Sequence, residues 1–317
     1  MSQLHYIVDY YRMAIVIILL AVSASANAVE NIERVFIFGD SLSDPGNIYA
    51  LTGETTKAPY PPIPSAPYAM GGHHFSNGKT WAERLAQTLQ DRNGGKASLD
   101  GPGQNGNYAH GGSRARYGSP SASPSSVEQV SQFLSDFGGV PANSLVIIEF
   151  GGNDLRDALV AGATDPDAVI PILQAALSDT ATAIQTLYVS GARHFLVANA
   201  PNIGNTPVVQ MSGASAAATY LVGVYNSELE NMLQYLEFGI PNIRIDRLDL
   251  AALIDDVVAS PGDWGFDNAT SPCLSFLVES GAKCDDPEAH FFWDGLHPTA
   301  TGHEVVKELA LAVLSTD

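Results

Sequence analysis

Short apolar runs at Val35-Phe36-Ile37-Phe38, Leu145-Val146-Ile147-Ile148 and Phe195-Leu196-Val197-Ala198 interrupt this chain, and Ile243-Arg244-Ile245 adds a fourth strand-like segment. Runs this short, apolar at successive positions, suit strands buried on both faces. The first stops at Gly39-Asp40 and the second at Phe150-Gly151-Gly152. Helical patterns lie between and after them. Trp81, Leu85 and Leu89 are spaced four apart in 80–90. Residues 167–190 continue to Gly191. Ala218, Leu221, Tyr225, Leu229, Met232 and Leu236 recur at three and four in 214–236, and 299–314 closes the chain. Strands alternating with helices predict βαβ units and a mostly parallel sheet covered on both faces, an α/β fold. The proline-rich stretch 59–67 suits neither helix nor central strand, and the Gly/Asn-rich stretch 94–112 is expected to be mostly loop. No linker or internal repeat divides the chain, so residues 29–317 are expected to form one domain. With 317 residues, 45% of them hydrophobic, a sizeable core is available.

The charge balance narrows the partners. Fifteen Lys+Arg against 34 Asp+Glu give a formal net charge of −19, which opposes nucleic-acid phosphate and anionic membrane surface. A lipid substrate held by apolar surface stays compatible with it. Residues 1–28 read as an export signal: Arg12, then the apolar run 13–22, then small residues ending in Ala26-Asn27-Ala28. The expected mature start is near Val29, and the protein is expected to be secreted or periplasmic. The apolar run is shorter than the roughly 20 residues a membrane span takes. No integral membrane segment is expected in the mature chain. In an exported protein the two cysteines, Cys273 and Cys284, are expected to form a local disulfide, contributing about 3 kcal/mol at most.

Reactive groups in open α/β sheets collect beyond the carboxyl ends of the strands. Three polar clusters occupy such places, and each has an ordinary structural explanation in isolation. Gly39-Asp40-Ser41-Leu42-Ser43-Asp44 can present a serine on a tight turn, or cap a helix. In Gly151-Gly152-Asn153-Asp154, a carboxamide can donate to an oxyanion, or the segment can be a simple turn. In Asp294-Gly295-Leu296-His297-Pro298, a spacing of three lets the carboxylate meet the imidazole, or the pair can be a cap and a surface histidine.

Together with Asn107-Tyr108-Ala109-His110-Gly111-Gly112, these clusters stand in the order of the four signature blocks of the SGNH/GDSL hydrolases. The chain resembles that superfamily along nearly all of its mature length. Phe75-Ser76-Asn77-Gly78-Lys79-Thr80-Trp81 and Asn199-Ala200-Pro201-Asn202-Ile203-Gly204 add to the likeness. The resemblance implies a flavodoxin-like three-layer α/β/α sandwich and a serine hydrolase of carboxylic esters that needs no cofactor or metal. Ser41 matches the nucleophile, His297 the general base and Asp294 the residue orienting it. The oxyanion donors matched are the N–H of Ser41, that of Gly112, with Gly111 as the alternative, and the amide of Asn153. Asp40, Asp44 and Asp154 match no catalytic role and are expected to accept backbone N–H groups.

The substrate class stays open at this point. A fatty-acyl or phospholipid ester, an acylated glycan and a small soluble ester all fit, as does acyl transfer to a lipid acceptor. A non-catalytic binding protein would have little need of all four blocks. Tyr60, Tyr68, Phe75, Tyr108 and Tyr117 are candidates to line a substrate pocket, or simply pack. His73, His74, His290 and His303 lack metal-binding spacing and are expected to be loop or solvated histidines. Asn268-Ala269-Thr270 has the N-glycosylation pattern. Nothing in the sequence sets the oligomeric state.

Overall fold

The four predicted runs become four strands of one parallel sheet in the order β1-β2-β3-β4: β1 Arg34–Gly39, β2 Ser144–Glu149, β3 His194–Ala198 and β4 Arg244–Leu248. The structure is a computed structural model and describes residues 32–52, 74–119, 121, 123–274 and 283–315. The predicted export signal, the proline-rich stretch, Tyr60, Tyr68 and His73 lie outside these residues. Nine α-helices occur among the described residues: α1 Asn47–Thr52, α2 Trp81–Thr88, α3 Ser126–Phe137, α4 Gly152–Gly162, α5 Val169–Val189, α6 Pro207–Ser212, α7 Ser215–Gly239, α8 Leu250–Ala259 and α9 Ala300–Leu314.

Alternation along the strands creates two cores. Phe36, Phe38, Val146, Ile148, Phe195 and Val197 face one side and pack with α3, α4, α5 and α7. Val35, Ile37, Leu145, Ile147, Leu196 and Ala198 face the other and pack with α2, α8 and α9. Both sides of the sheet are therefore covered, which is why the runs read as continuously apolar. Mixed α/β architecture with a parallel sheet is the predicted class.

The glycine-rich stretch 94–112 is largely irregular, as expected, but its end runs along β1. Ile37 N–H donates to the Gly106 carbonyl (2.9 Å), Tyr108 N–H to that of Ile37 (2.7 Å) and His110 N–H to that of Gly39 (3.1 Å). Counting this segment, the chain steps from β1 to one side and then crosses to β2 on the other. That is the 2-1-3-4-5 order of flavodoxin-like sheets, whose crevice opens at the switch between β1 and β2. Here Gly39 lies opposite Glu149, so both strands end level at that crevice.

Of the two places open to Tyr108, pocket lining or packing, the structure shows packing. It is fully buried, stacks on Phe38 (centroids 5.7 Å apart) and donates its hydroxyl to Asp136 Oδ2 (2.7 Å). Phe133 on α3 meets Phe36, Phe38 and Tyr108 edge-on. Truncating this shared knob opens a cavity that its aromatic neighbours cannot fill. Phe133→Ala is expected to lower the unfolding free energy by about 3–5 kcal/mol in urea titrations. A loss below about 1 kcal/mol would contradict this packing.

Candidate active site

Ser41 sits two residues beyond β1, on a turn held by carboxyl groups. Asp40 Oδ1 accepts the N–H of Leu42 (3.0 Å). Asp44, wholly buried, accepts four backbone N–H groups: Gly46 (2.7 Å) and Asn47 (2.6 Å) at Oδ1, Ile48 (3.2 Å) and Gly111 (2.7 Å) at Oδ2. The last of these ties the serine turn to the second signature block. Asn107 adds a second tie, donating Nδ2 to the Ser43 carbonyl (2.9 Å). From α3, Gln129 braces the strand end, accepting from Gly39 N–H (3.0 Å) and donating to the Gly39 carbonyl (2.9 Å).

The loop before α9 brings the histidine. Asp294 is buried, and its Oδ1 accepts the N–H groups of Leu296 (2.8 Å) and His297 (2.7 Å). Its Oδ2 lies 2.7 Å from His297 Nδ1, and His297 Nε2 lies 2.8 Å from Ser41 Oγ. The spacing of three works because one carboxylate both caps the turn and holds the ring. The Phe75 ring packs beside the imidazole, with centroids 5.2 Å apart. It can do so because residue 111 is glycine: a Cβ there would stand 2.2 Å from the ring. The expected disulfide, Cys273–Cys284, is present. It supports the same loop, since Cys273 and Leu274 N–H donate to the carbonyls of Phe292 and Trp293.

Asn153 enters from α4. Gly151, at φ +117°, turns the chain from β2 into this helix, a backbone conformation glycine tolerates. The segment, for which a simple turn was the alternative, is thus a helix N-terminus, whose free N–H groups favour negative charge. Asn153 Nδ2 donates both its hydrogens, to Asp40 Oδ2 (3.1 Å) and to the Ser113 carbonyl (3.0 Å). Gly111 N–H is taken by Asp44, whereas no acceptor among the described residues takes the N–H of Ser41 or Gly112.

Between Gly112 and α4 lies an ion-pair network that sequence spacing does not reveal. Arg114 makes a two-pronged pair with Asp157 (2.9 Å each), and Arg116 Nη1 meets Asp154 Oδ1 at 2.6 Å. Asp154 Oδ2 accepts Ala115 N–H (2.8 Å). Asp40, Asp44 and Asp154 therefore all order loops, as expected from the sequence. Glu149 and Gln129 also escape a motif-based reading. The one signal available for Glu149 is a carboxyl closing an apolar run.

The other histidines are occupied elsewhere. His303 is buried on α9, not solvated, and its Nδ1 accepts Trp81 N–H (3.2 Å) at the start of α2. Burial pushes it well below its ordinary range. His110 is likewise buried and pushed down to about 4, against the pull of its bond to the Tyr108 carbonyl. His74, also buried, lies 2.7 Å from Glu83. His290 sits at the end of a short 3₁₀ turn, with Nδ1 2.9 Å from the Asp286 carbonyl. Tyr117 is exposed. Among the described residues no group of His, Cys, Asp and Glu is arranged to hold a metal ion, and no helix is long and apolar enough to cross a membrane.

Comparison with known proteins finds relatives along most of the chain. A model of the GDSL-like lipase/acylhydrolase family matches residues 35–310. A thermolabile hemolysin of Vibrio parahaemolyticus is 27% identical over 298 residues, covering 89% of this chain and 64% of that protein. An anther-specific proline-rich protein of Brassica napus is 26% identical over 320 residues, covering 87% and 70%. A GDSL esterase/lipase of Arabidopsis thaliana is 24% identical over 337 residues, covering 91% and 88%. The chain thus spans less than two thirds of the hemolysin's length.

Asp40 gives the site a pH signature. Burial raises its carboxyl from 3.8 to about 6, against the Leu42 hydrogen bond and the attraction of His297. A carboxyl raised on folding binds a proton more tightly in the native state. Its contribution to stability is therefore complete below about pH 4 and lost as pH rises through about 6. Asp40→Asn cannot titrate. The stability of wild type relative to this variant is expected to fall by up to about 3 kcal/mol between pH 4 and 7 in urea unfolding. A pH-independent difference would contradict it.

Proposed function

The chain belongs to the GDSL-like lipase/acylhydrolase family, and on that premise we propose that it is a carboxylic ester hydrolase acting through Ser41, His297 and Asp294. The observation that carries this reading is the unbroken relay from Asp294 through both ring nitrogens of His297 to Ser41 Oγ, at 2.7 and 2.8 Å. His297 Nε2 takes the serine proton as Oγ attacks the ester carbonyl, and Asp294 stabilises the imidazolium. The N–H groups of Ser41 and Gly112 receive the oxyanion, joined by the Asn153 amide. To join, Asn153 must redirect one hydrogen from Asp40 or Ser113. His297 then protonates the departing alcohol, and water cleaves the acyl-enzyme by the reverse sequence.

Export is part of this proposal, supported by the pattern of residues 1–28 and the disulfide. Esters of lipids are the first substrates to test, because the matched family is described as lipase/acylhydrolase and relatives bear the name esterase/lipase. A series of p-nitrophenyl esters from acetate to palmitate, with a phospholipid beside it, measures the preferred acyl length. Wild type is expected to turn over. Ser41→Ala and His297→Ala should each lose roughly 10⁴–10⁶ in kcat, and Asn153→Ala about 10²–10³. Equal activity of wild type and Ser41→Ala would overturn the serine mechanism. An optimum at acetate, with no phospholipid cleavage, would move the substrate class to short acyl or acetyl esters.

A further inference from the structure

Glu149 ends β2 and is 1% exposed. Its Oε2 accepts the Ser43 hydroxyl (3.0 Å) and the Asp40 N–H (3.4 Å), the residues on either side of the Ser41-Leu42 turn. Its Oε1 is buried with no hydrogen-bond partner. The titratable groups around it are Asp40 on the β1 loop and Tyr225 on α7, with His297 before α9 and Asp154 on α4 acting on Asp40. Among the described residues no Lys, Arg or His forms an ion pair with it.

The Glu149 carboxyl takes the Asp40 N–H and meets the Asp40 side chain. Two buried carboxyls so placed, with no Lys, Arg or His among the described residues ion-paired to either, cannot both ionise cheaply, so one proton is retained by the pair. Asp40 has an N–H donor on each oxygen, from Leu42 and from Asn153, and is suited to the charge. Glu149 has the oxygen without a partner and is suited to the proton. We propose that Glu149 is a protonated positioning residue whose O–H donates to the Asp40 carboxylate, fixing the acceptor that orients Asn153 and the turn that presents Ser41. Burial, with the Asp40 charge adding to it, raises the Glu149 carboxyl well above its ordinary range, in the direction this role needs.

The role rests on the ester-hydrolase reading and gives it a missing part. Both Nδ2 hydrogens of Asn153 are engaged before reaction. When one turns to the oxyanion, the Glu149 O–H keeps the buried Asp40 carboxylate partnered, so releasing the amide does not expose a bare charge.

Infrared difference spectra between wild type and Glu149→Gln at pH 7 test the proton directly. Wild type is expected to show a carboxylic-acid C=O band, shifted in D2O, that the variant lacks. Kinetics on the best p-nitrophenyl ester test the positioning. Glu149→Gln retains a donor to Asp40 and is expected within about threefold of wild-type kcat. Glu149→Leu has no donor and should lose about 10–100-fold in kcat at unchanged KM, with circular dichroism reporting its fold. No acid band lost on Glu149→Gln, wild-type kcat in Glu149→Leu, or equal impairment of both variants would overturn the proposal. If Glu149→Leu does not fold, the infrared band and the Glu149→Gln rate decide it. An active Ser41→Ala would remove the ester-hydrolase reading, whereas the infrared result would still decide where the proton resides.

Discussion

Gly39 lies opposite Glu149 in the parallel pairing of β1 with β2, and the layout of the site descends from that register. Because the two strands end level, their loops leave the sheet side by side, and Ser41 and Asn153 reach the same crevice. A slip of one residue would turn Phe36 and Phe38 from one core into the other, so the two apolar faces lock the register. The segment 106–110 repeats the arrangement on the other edge of β1 and brings Gly111 and Gly112 to that end of the sheet. His297 arrives from far along the sequence, on a loop clamped by the disulfide segment and by the hydrogen bond from Val208 N–H to Gly295.

Backbone hydrogen bonds to buried carboxyls hold this assembly together. Asp40, Asp44, Asp154 and Asp294 each accept main-chain N–H groups, and all four are buried. Burying a carboxylate is costly unless its lone pairs are satisfied. Asp44 meets that condition with four N–H groups and is still pushed up to about 6 by burial. The return on that cost is rigidity. A carboxylate bonded to several main-chain donors leaves a loop few alternative conformations, and a nucleophile needs a fixed position. The Arg114 and Arg116 pairs do the same for the loop that follows Gly112, with partial burial sparing them solvent screening.

The strands were legible in the sequence because burial on both faces removes polar residues from them. Long helices such as α5 and α7 were legible because their apolar positions recur over many turns. Helices α1, α3, α4, α6 and α8 escaped the periodicity reading. The α4 start carries Gly-Gly-Asn-Asp, which is turn chemistry, and only the left-handed Gly151 turns it into a helix. For α3 a signal existed, Ser125 followed three residues later by Glu128, and the two form a capping box. The signature blocks named Ser41, Asn153, Asp294 and His297, which the fold brings together. They favoured Gly112 over Gly111 by match alone; the hydrogen bond that occupies the Gly111 N–H runs to Asp44 across 67 positions and has no local sequence signal. Tyr108 looked like a loop aromatic because its segment lacks strand periodicity, yet its pairing with β1 puts the ring in the core.

The most direct test of the nucleophile is chemical. An alkyl fluorophosphonate, in which a serine oxygen displaces fluoride, is incubated with the protein, and the adduct is located by intact-mass and peptide mass spectrometry. A single adduct on Ser41, formed much more slowly in His297→Ala, is the predicted result. No adduct, an adduct on another residue, or undiminished labelling in His297→Ala would contradict the assignment of Ser41 as a nucleophile activated by His297.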